Sequence, residues 1–209
     1  IMAIIKGLHA KITSELLKDV LEEKGYAFFD GNKPLNLNII GIRNSSRDST
    51  RFDDTMLLIY REEDTKEWIV HSYQVTTEPG PAILRKPVNS AGTAVLVPNQ
   101  YRGVYKIDTH STKNRHIALC QRLGKVRVYR DDDRDSKPEE TEVIQEGMFG
   151  INIHRHAGSN EREYVRGSSA GCQVFKDSKD FAEFMLVCNK SADMYGNAFT
   201  YTLLEEGDL

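Results

Sequence analysis

The residues of this sequence with the clearest capacity for chemistry are a histidine and a cysteine 18 positions apart, His154 and Cys172. A free thiol has a pKa of about 8.5, so it needs a neighbouring imidazole or cation to attack a carbonyl carbon as thiolate at neutral pH. His154 ends a stretch of alternating apolar and polar residues, which would hold its ring rigidly. The pair predicts an enzyme with Cys172 as nucleophile and His154 as base.

The residues just before the cysteine form a small turn that suits the same chemistry. Gly171 lets the backbone turn tightly and approach a substrate closely. The N–H groups around Gly171 and Cys172 would then stabilise an oxyanion during acyl transfer, and Ser169 would hydrogen-bond across the turn. Gly171 and Ser169 therefore complete the predicted catalytic set. The alternative is that Cys172 is a small core residue and His154 an incidental polar group.

Four residues near the base and the thiol are predicted to contact a substrate. The three cations among them, in a loop rich in Gly, Ser and Asn, are Arg155, Arg162 and Arg166. Their guanidinium groups can hold carboxylates by paired hydrogen bonds. His156 is the second candidate base, since residues i and i+2 of a strand point the same way. The alternative is a solvated loop of mixed charge, because Glu161 and Glu163 alternate with the arginines.

Two metal sites are weighed and not favoured, and we predict neither a metal nor another cofactor. Four acidic residues stand at positions 1, 3, 5 and 12 of a calcium-type loop: Asp131, Asp133, Asp135 and Glu142. Ser136 replaces the glycine that such a loop needs for its sharp turn, so an acidic hairpin tip is favoured. A His₂Cys zinc site built from His154, His156 and Cys172 is the other alternative.

The elements that must position these residues are mainly strands. Seven strand-like runs precede the site: Leu37–Ile42, Thr55–Tyr60, Trp68–Thr77, Thr93–Val97, Gly103–Ile107, His116–Gln121 and Val126–Tyr129. A strand over Phe149–His154 would present the base, and a strand over Phe199–Leu204 closes the chain. Helices are predicted over Thr13–Lys24 and after Asp177 or Ser178, where an apolar stripe begins. Strand spacing of this kind is typical of a sandwich or barrel.

The composition describes an ordinary globular protein. With 209 residues and a net charge of −3, the chain fits one domain and carries no strongly basic face for nucleic acid. We find no apolar run long enough to cross a bilayer and expect no signal peptide. Cys120, Cys172 and Cys188 cannot all pair, so at least one thiol stays free.

His154, the 18-residue step and Ser169-Ala170-Gly171-Cys172 resemble the catalytic domain of the L,D-transpeptidase family. The resemblance covers roughly residues 101 to 188. It implies a β-sandwich with a helix after the cysteine strand, and a cysteine acyl-enzyme formed on the stem peptide of peptidoglycan. By position, His154 would be the base, Cys172 the nucleophile, Gly171 part of the oxyanion hole and Ser169 the hydroxyl of the motif.

The sequence departs from the family at three positions. The family usually has histidine where this chain has Ala170, arginine where it has Val174, and often glycine where it has Arg155. Chains with Ser-Ala-Gly-Cys-Gln-Val look like a divergent, phage-associated branch. We therefore expect hydrolysis of peptidoglycan peptides by a phage-encoded enzyme acting in the cell envelope. The alternatives are cross-linking by L,D-transpeptidation, an inactive virion or wall-binding module, and the zinc hydrolase.

Together these observations predict one mainly β, α+β domain over residues 1–209. Residues 101–209 would form the L,D-transpeptidase-like part, and residues 1–100 an N-terminal helix and β-rich part of unassigned role. The expected partner is a peptidoglycan stem peptide, with neither nucleic acid nor membrane involved.

Overall fold

Strands make up most of the regular structure in the computed structural model, which describes residues 12–110, 115–158 and 162–209. The strands are β1 (Asn38–Arg43), β2 (Asp54–Arg61), β3 (Trp68–Thr76), β4 (Thr93–Leu96), β5 (Asn99–His110), β6 (His116–Gln121), β7 (Val126–Asp131), β8 (Ile144–Gly147), β9 (Ile153–Arg155), β10 (Gln173–Phe175) and β11 (Phe199–Glu205). The α-helices are α1 (Ser14–Glu23), α2 (Pro81–Arg85) and α3 (Ser178–Tyr195), and a 3-10 turn spans Glu206–Asp208.

Eight of these strands close into a barrel in the order β1-β11-β5-β6-β9-β10-β3-β2, and β4, β7 and β8 form a second sheet. The pairs β1·β11 and β9·β10 are parallel, and the other strand pairs are antiparallel. The prediction of a mainly β, α+β chain is confirmed. Strands from residues 1–100 and from residues 101–209 share the barrel, so the two parts are not separate units.

Two helices cover the barrel as their apolar stripes predict. Thr13 caps α1 by accepting a hydrogen bond from the Leu16 N–H at 3.1 Å, and the buried face of α1 packs in one core with Ile40 and Leu57. Asp177 caps α3 through the Lys179 N–H at 2.8 Å. Both helices lie where the sequence predicted them. None of the helices in the described ranges is long and apolar enough to span a membrane.

An aromatic cluster fixes β10 to α3. The ring of Phe175 lies 5.3 Å from Phe181, 5.1 Å from Phe184 and 5.4 Å from Tyr73, measured between centroids. Phe175 is fully buried, and full burial of such a ring contributes roughly 1.5–3 kcal/mol. The strand that follows Cys172 is therefore held firmly against the barrel core.

The predicted strand over Phe149–His154 is shorter in the structure, where β9 covers only Ile153–Arg155. Gly150 has a positive φ of 71°, which interrupts extended backbone. The N–H groups of Phe149, Gly150 and Ile151 donate to the side-chain oxygen of Gln121 at 3.1, 2.9 and 3.1 Å. Because one buried amide satisfies these three donors, the segment has no need of a strand partner there.

Candidate active site

The parallel pair β9·β10 places the segments that carry His154 and Cys172 side by side in the barrel wall. Val174 pairs with His154, and Gln173 pairs with Ile153. Cys172 stands one residue before β10 and packs with Val174 on one face of the wall, in a small cluster with Phe52 and Val165. The opposite face carries Ile153, which belongs to the barrel core. The predicted nucleophile thus lies at the start of the strand that neighbours the one carrying the predicted base.

The thiol of Cys172 is held by the backbone of the segment before β9. Its Sγ lies 3.4 Å from the Gly150 carbonyl oxygen, to which the S–H donates, and accepts from the Asn152 N–H at 3.4 Å. Burial of the sulfur raises the pKa of Cys172 to about 11, and the Asn152 N–H opposes this only in part. The thiol is therefore neutral at pH 7, and its hydrogen bonds go to Gly150 and Asn152 rather than to His154.

The imidazole of His154 is buried and oriented by its own strand. Its Nδ1 lies 2.6 Å from the Arg155 carbonyl oxygen, so Nδ1 carries the proton and Nε2 keeps its lone pair. Burial lowers the pKa of His154 to about 3, with a further contribution from the neighbouring His110. At neutral pH the ring is therefore uncharged and can accept a proton at Nε2, and a pKa this low makes it a weak base.

The turn before Cys172 is tied internally by Ser169. Its hydroxyl donates to the Cys172 carbonyl oxygen at 2.8 Å and accepts from the Gly171 N–H at 3.2 Å. Gly171 has a φ of 112°, and a Cβ there would lie 2.4 Å from the Ala94 carbonyl oxygen. Only glycine fits this position. Since the Gly171 N–H is engaged within the turn, it is the Cys172 N–H that has no acceptor among the described residues.

Two histidines that we did not select from the sequence stand beside His154. The ring of His110 stacks on His154 with centroids 4.0 Å apart, and His116 lies 5.1 Å from His110 and 6.0 Å from His154. His110 ends β5 and His116 begins β6, and the two residues pair directly in that hairpin. The signal available in the sequence was the β5–β6 hairpin, which pairs the two histidines. That this hairpin lies close to β9 depends on closure of the barrel, which the sequence does not reveal.

Asn152 connects the thiol to the histidine stack. Its backbone N–H donates to Cys172 Sγ, and its side-chain Nδ2 lies 3.0 Å from His110 Nδ1. Its side-chain oxygen accepts from the Gln121 N–H at 2.9 Å, which fixes the amide orientation. Asn152 therefore donates its Nδ2 proton to His110 Nδ1, which leaves the His110 proton on Nε2.

A cleft of about 320 Å³ opens over His154, and we call it the histidine cleft. It is lined by the following residues: His110, His116, His154, Arg155, Ala157, Arg162, Gly167 and Ser168. Arg155 and Arg162 thus line the same cleft as His154. Among the described residues, Arg155 donates to the carbonyls of His156 and Gly158 at 3.0 and 2.8 Å, and Arg162 donates to the Ser168 hydroxyl at 3.5 Å.

Two predicted substrate contacts lie elsewhere. Arg166 is exposed and lines a second depression with Glu163, Tyr164 and Arg162, of which Arg162 also lines the histidine cleft. His156 is fully buried, and its Nδ1 accepts from the Gly158 N–H at 2.9 Å. The strand ends at Arg155, so the rule that residues i and i+2 point the same way does not extend to His156. Glu161 lies outside the described residues.

Neither the calcium-type site nor the zinc site considered from the sequence is formed among the described residues. Within residues 12–110, 115–158 and 162–209, no group of three histidine, cysteine or acidic side chains is arranged to hold a metal ion. In the acidic hairpin, Asp131 accepts from the Glu139 N–H at 2.8 Å and Asp133 from the Asp135 N–H at 2.9 Å. These carboxylates cap turns of the loop itself. The favoured acidic hairpin tip agrees with these contacts.

Comparison with known proteins assigns this chain to no family. No protein-family model matches the chain, and neither a curated protein nor a solved structure matches it.

Proposed function

We propose that the protein is a cysteine-dependent acyl-transfer enzyme that acts on peptidoglycan stem peptides, with water as the favoured acceptor. The observation that carries this proposal is the parallel pairing of β9 with β10, which places Cys172, the residue just before β10, beside the strand of His154. A nucleophile, a base with its lone pair on Nε2, and a carbonyl that fixes the base form the arrangement that thiol acyl transfer needs. The peptidoglycan substrate is supported by the resemblance of the His154 and Ser169–Cys172 motifs to the L,D-transpeptidase family.

The resting pair is neutral, so the proposed attack couples proton transfer to bond formation. Rotation about the side chain of Cys172 turns its sulfur from the Gly150 carbonyl towards His154. The S–H proton passes to His154 Nε2 as sulfur bonds to the peptide carbonyl carbon, and the Cys172 N–H faces the oxyanion. The C–N bond then breaks, and the leaving amine takes the proton from His154. A thioester on Cys172 remains.

The second half of the reaction returns the enzyme to its starting state. Water attacks the thioester while His154 Nε2 takes one of its protons, the carboxylic acid leaves, and the sulfur recovers the proton. Cross-linking uses the same thioester, with an amine in place of water. Arg155 and Arg162 supply positive charge beside the base and are suited to the carboxylates of a stem peptide.

A binding module without catalysis is the second candidate, and the state of the thiol favours it. A cysteine whose pKa is raised to about 11 and whose S–H donates to Gly150 is not activated at rest. A wall-binding protein of this type would use the histidine cleft to hold the peptide without cleaving it.

The experiment that separates these functions is incubation of the purified protein with sacculi, followed by mass spectrometry of the soluble and insoluble fractions. Hydrolysis is expected to release fragments with new carboxyl termini, and these identify the bond cut. New cross-linked muropeptides would favour transpeptidation. Protein that sediments with the sacculi and leaves every muropeptide unchanged would support the binding module and contradict the enzyme.

A further inference from the structure

A second cleft, of about 340 Å³, borders the Cys172 turn at Ala170, whereas the histidine cleft borders it at Gly167 and Ser168. Most of its walls are apolar: Ile83, Val88, Ala94, Met148, Phe149 and Ile151. Val88 is 82% exposed and Met148 is 53% exposed, so apolar side chains stand open to solvent at its rim. Ala170 is the position where the resembling family usually carries histidine, and its small side chain leaves this space open.

The turn that carries the nucleophile forms one wall of this cleft. At Gly171 an added Cβ would lie 2.4 Å from the Ala94 carbonyl oxygen and 3.1 Å from Ile151 Cδ1. Both Ala94 and Ile151 line the cleft. A molecule in the cleft therefore contacts the same backbone that positions Cys172.

One buried cation reaches into the cleft, and we call the space the Arg130 cleft. Arg130 is only 6% exposed, and its Cζ stacks 4.8 Å from the ring centre of Phe149. Its Nε donates to Gln145 at 2.9 Å and its Nη1 to the Gly92 carbonyl oxygen at 3.2 Å. Among the described residues, no acceptor bonds to Nη2, and no carboxylate lies within ion-pair distance of the guanidinium.

A buried guanidinium without a counter-charge is costly in isolation, because burial disfavours the charged form. Burial accordingly lowers the pKa of Arg130, with no opposing charge from a neighbour. An anion bound against Nη2 would supply the missing charge and a charge-assisted hydrogen bond. The exposed amide of Asn89 lies on the same cleft and offers a second donor.

We propose that the Arg130 cleft binds the C-terminal carboxylate of a peptide that ends in a small apolar residue. The carboxylate lies against Arg130, and the apolar side chain packs between Ile151 and Phe149 beside Ala170. The inference that the cleft is a subsite of the acyl-transfer centre rests on the proposed function. The inference that it binds a carboxylate depends only on the surroundings of Arg130.

Direct binding tests the proposal without turnover. In the Cys172→Ala background, N-acetyl-dialanine of either chirality and its C-terminal amide are titrated into ¹⁵N-labelled protein and followed by NMR. The acid is expected to shift the amides of Gly92, Ala94 and Ile151 and to bind at least about tenfold more tightly than the amide. Arg130→Gln is expected to remove this preference. Arg127→Gln, an exposed arginine on the same strand, is expected to retain it.

A second variant keeps the test decisive if Arg130→Gln proves unstable. Ala170 is exposed, so Ala170→Leu fills the cleft without burying a new group in the core, and it is expected to abolish binding. Equal binding of acid and amide, or binding unchanged by both Arg130→Gln and Ala170→Leu, would overturn the proposal. Because binding is measured in the Cys172→Ala background, the result does not depend on catalysis. Carboxylate binding can therefore be absent while wall cleavage persists, or present while wall cleavage is absent.

Discussion

The imidazole rings of His110 and His154 stack with their centroids 4.0 Å apart and 18° between their planes. Two imidazoles in such contact cannot both be protonated without strong repulsion, and burial already disfavours the charge on each. The pKa of His154 is lowered to about 3 and that of His110 to about 4, in both cases chiefly by burial. Burial therefore keeps the proposed base neutral, and the neighbouring His110 ring adds to this effect.

Replacing His110 by phenylalanine is expected to raise the pKa of His154. The substitution His110→Phe keeps a flat ring against His154 and removes the neighbouring group that can carry positive charge. Burial persists, so the pKa should rise above about 3 but stay below the ordinary 6.5. NMR titration of the histidine ring resonances measures this. His71→Phe, in a separate stack with Tyr60 and Tyr73, is the control and should leave His154 unchanged.

The pH dependence of stability should change in the same variant. The pKa of His110 is lowered from 6.5 to about 4 on folding, so the unfolded chain takes up a proton in this range that the folded chain refuses. The stability associated with neutral His110 is therefore complete above pH 6.5 and is lost as pH falls towards 4. Relative to His110→Phe, the wild type should lose up to about 1 kcal/mol per pH unit across this window.

The wild type must be compared with His110→Phe because the titration of Asp54 changes the free energy of unfolding with pH in the opposite direction. Burial raises the pKa of Asp54 to about 7, so its contribution favours the folded state as pH falls. Urea unfolding of wild type and variant at a series of pH values cancels this shared contribution. Parallel curves for the two proteins between pH 4 and 7 would contradict the role assigned to His110.

Alkylation of Cys172 is expected to be slow at neutral pH and to accelerate steeply with pH. Since only the thiolate reacts and the pKa is raised to about 11, the rate should rise about tenfold per pH unit between pH 7 and 10. Peptide mapping by mass spectrometry assigns the label and separates Cys172 from the fully buried Cys120 and Cys188. A rate plateau below pH 8 would mean a resting thiolate and would rule out the neutral pair.

Gly171→Ala should destabilise the protein and abolish wall cleavage. The positive φ of 112° costs a non-glycine residue about 1–2 kcal/mol, and the added Cβ meets the Ala94 carbonyl oxygen at 2.4 Å. We expect a loss of at least about 2 kcal/mol in the free energy of unfolding. Gly31→Ala is the matched control, because a Cβ at Gly31 would meet nothing within 4 Å. Equal effects of the two substitutions would show that the turn is not constrained as described.

The sequence was sufficient for the local parts of this fold. The caps and apolar stripes of α1 and α3 are encoded within a few turns of helix, and strand alternation correctly put His154 opposite the apolar face of Ile153. These features depend on neighbours close in the chain.

The parts that sequence reasoning missed depend on contacts between distant segments. β9 is short because the amide of Gln121, on β6, takes three backbone N–H groups that a strand would otherwise pair. His110 reaches His154 only because β6 lies between β5 and β9 in the closed barrel. The bonds of Asn152 to the thiol and to His110 likewise arise from closure, and no spacing in the sequence indicates them.

The central claim is that Cys172 is the nucleophile of a wall-cleaving reaction, and the most direct measurement compares wild type with Cys172→Ala on purified sacculi. Circular dichroism first establishes that both proteins are folded. We expect wild type to release peptidoglycan fragments and Cys172→Ala to release at least about a thousandfold less, because a catalytic nucleophile has been removed. Full release of fragments by Cys172→Ala would contradict the account.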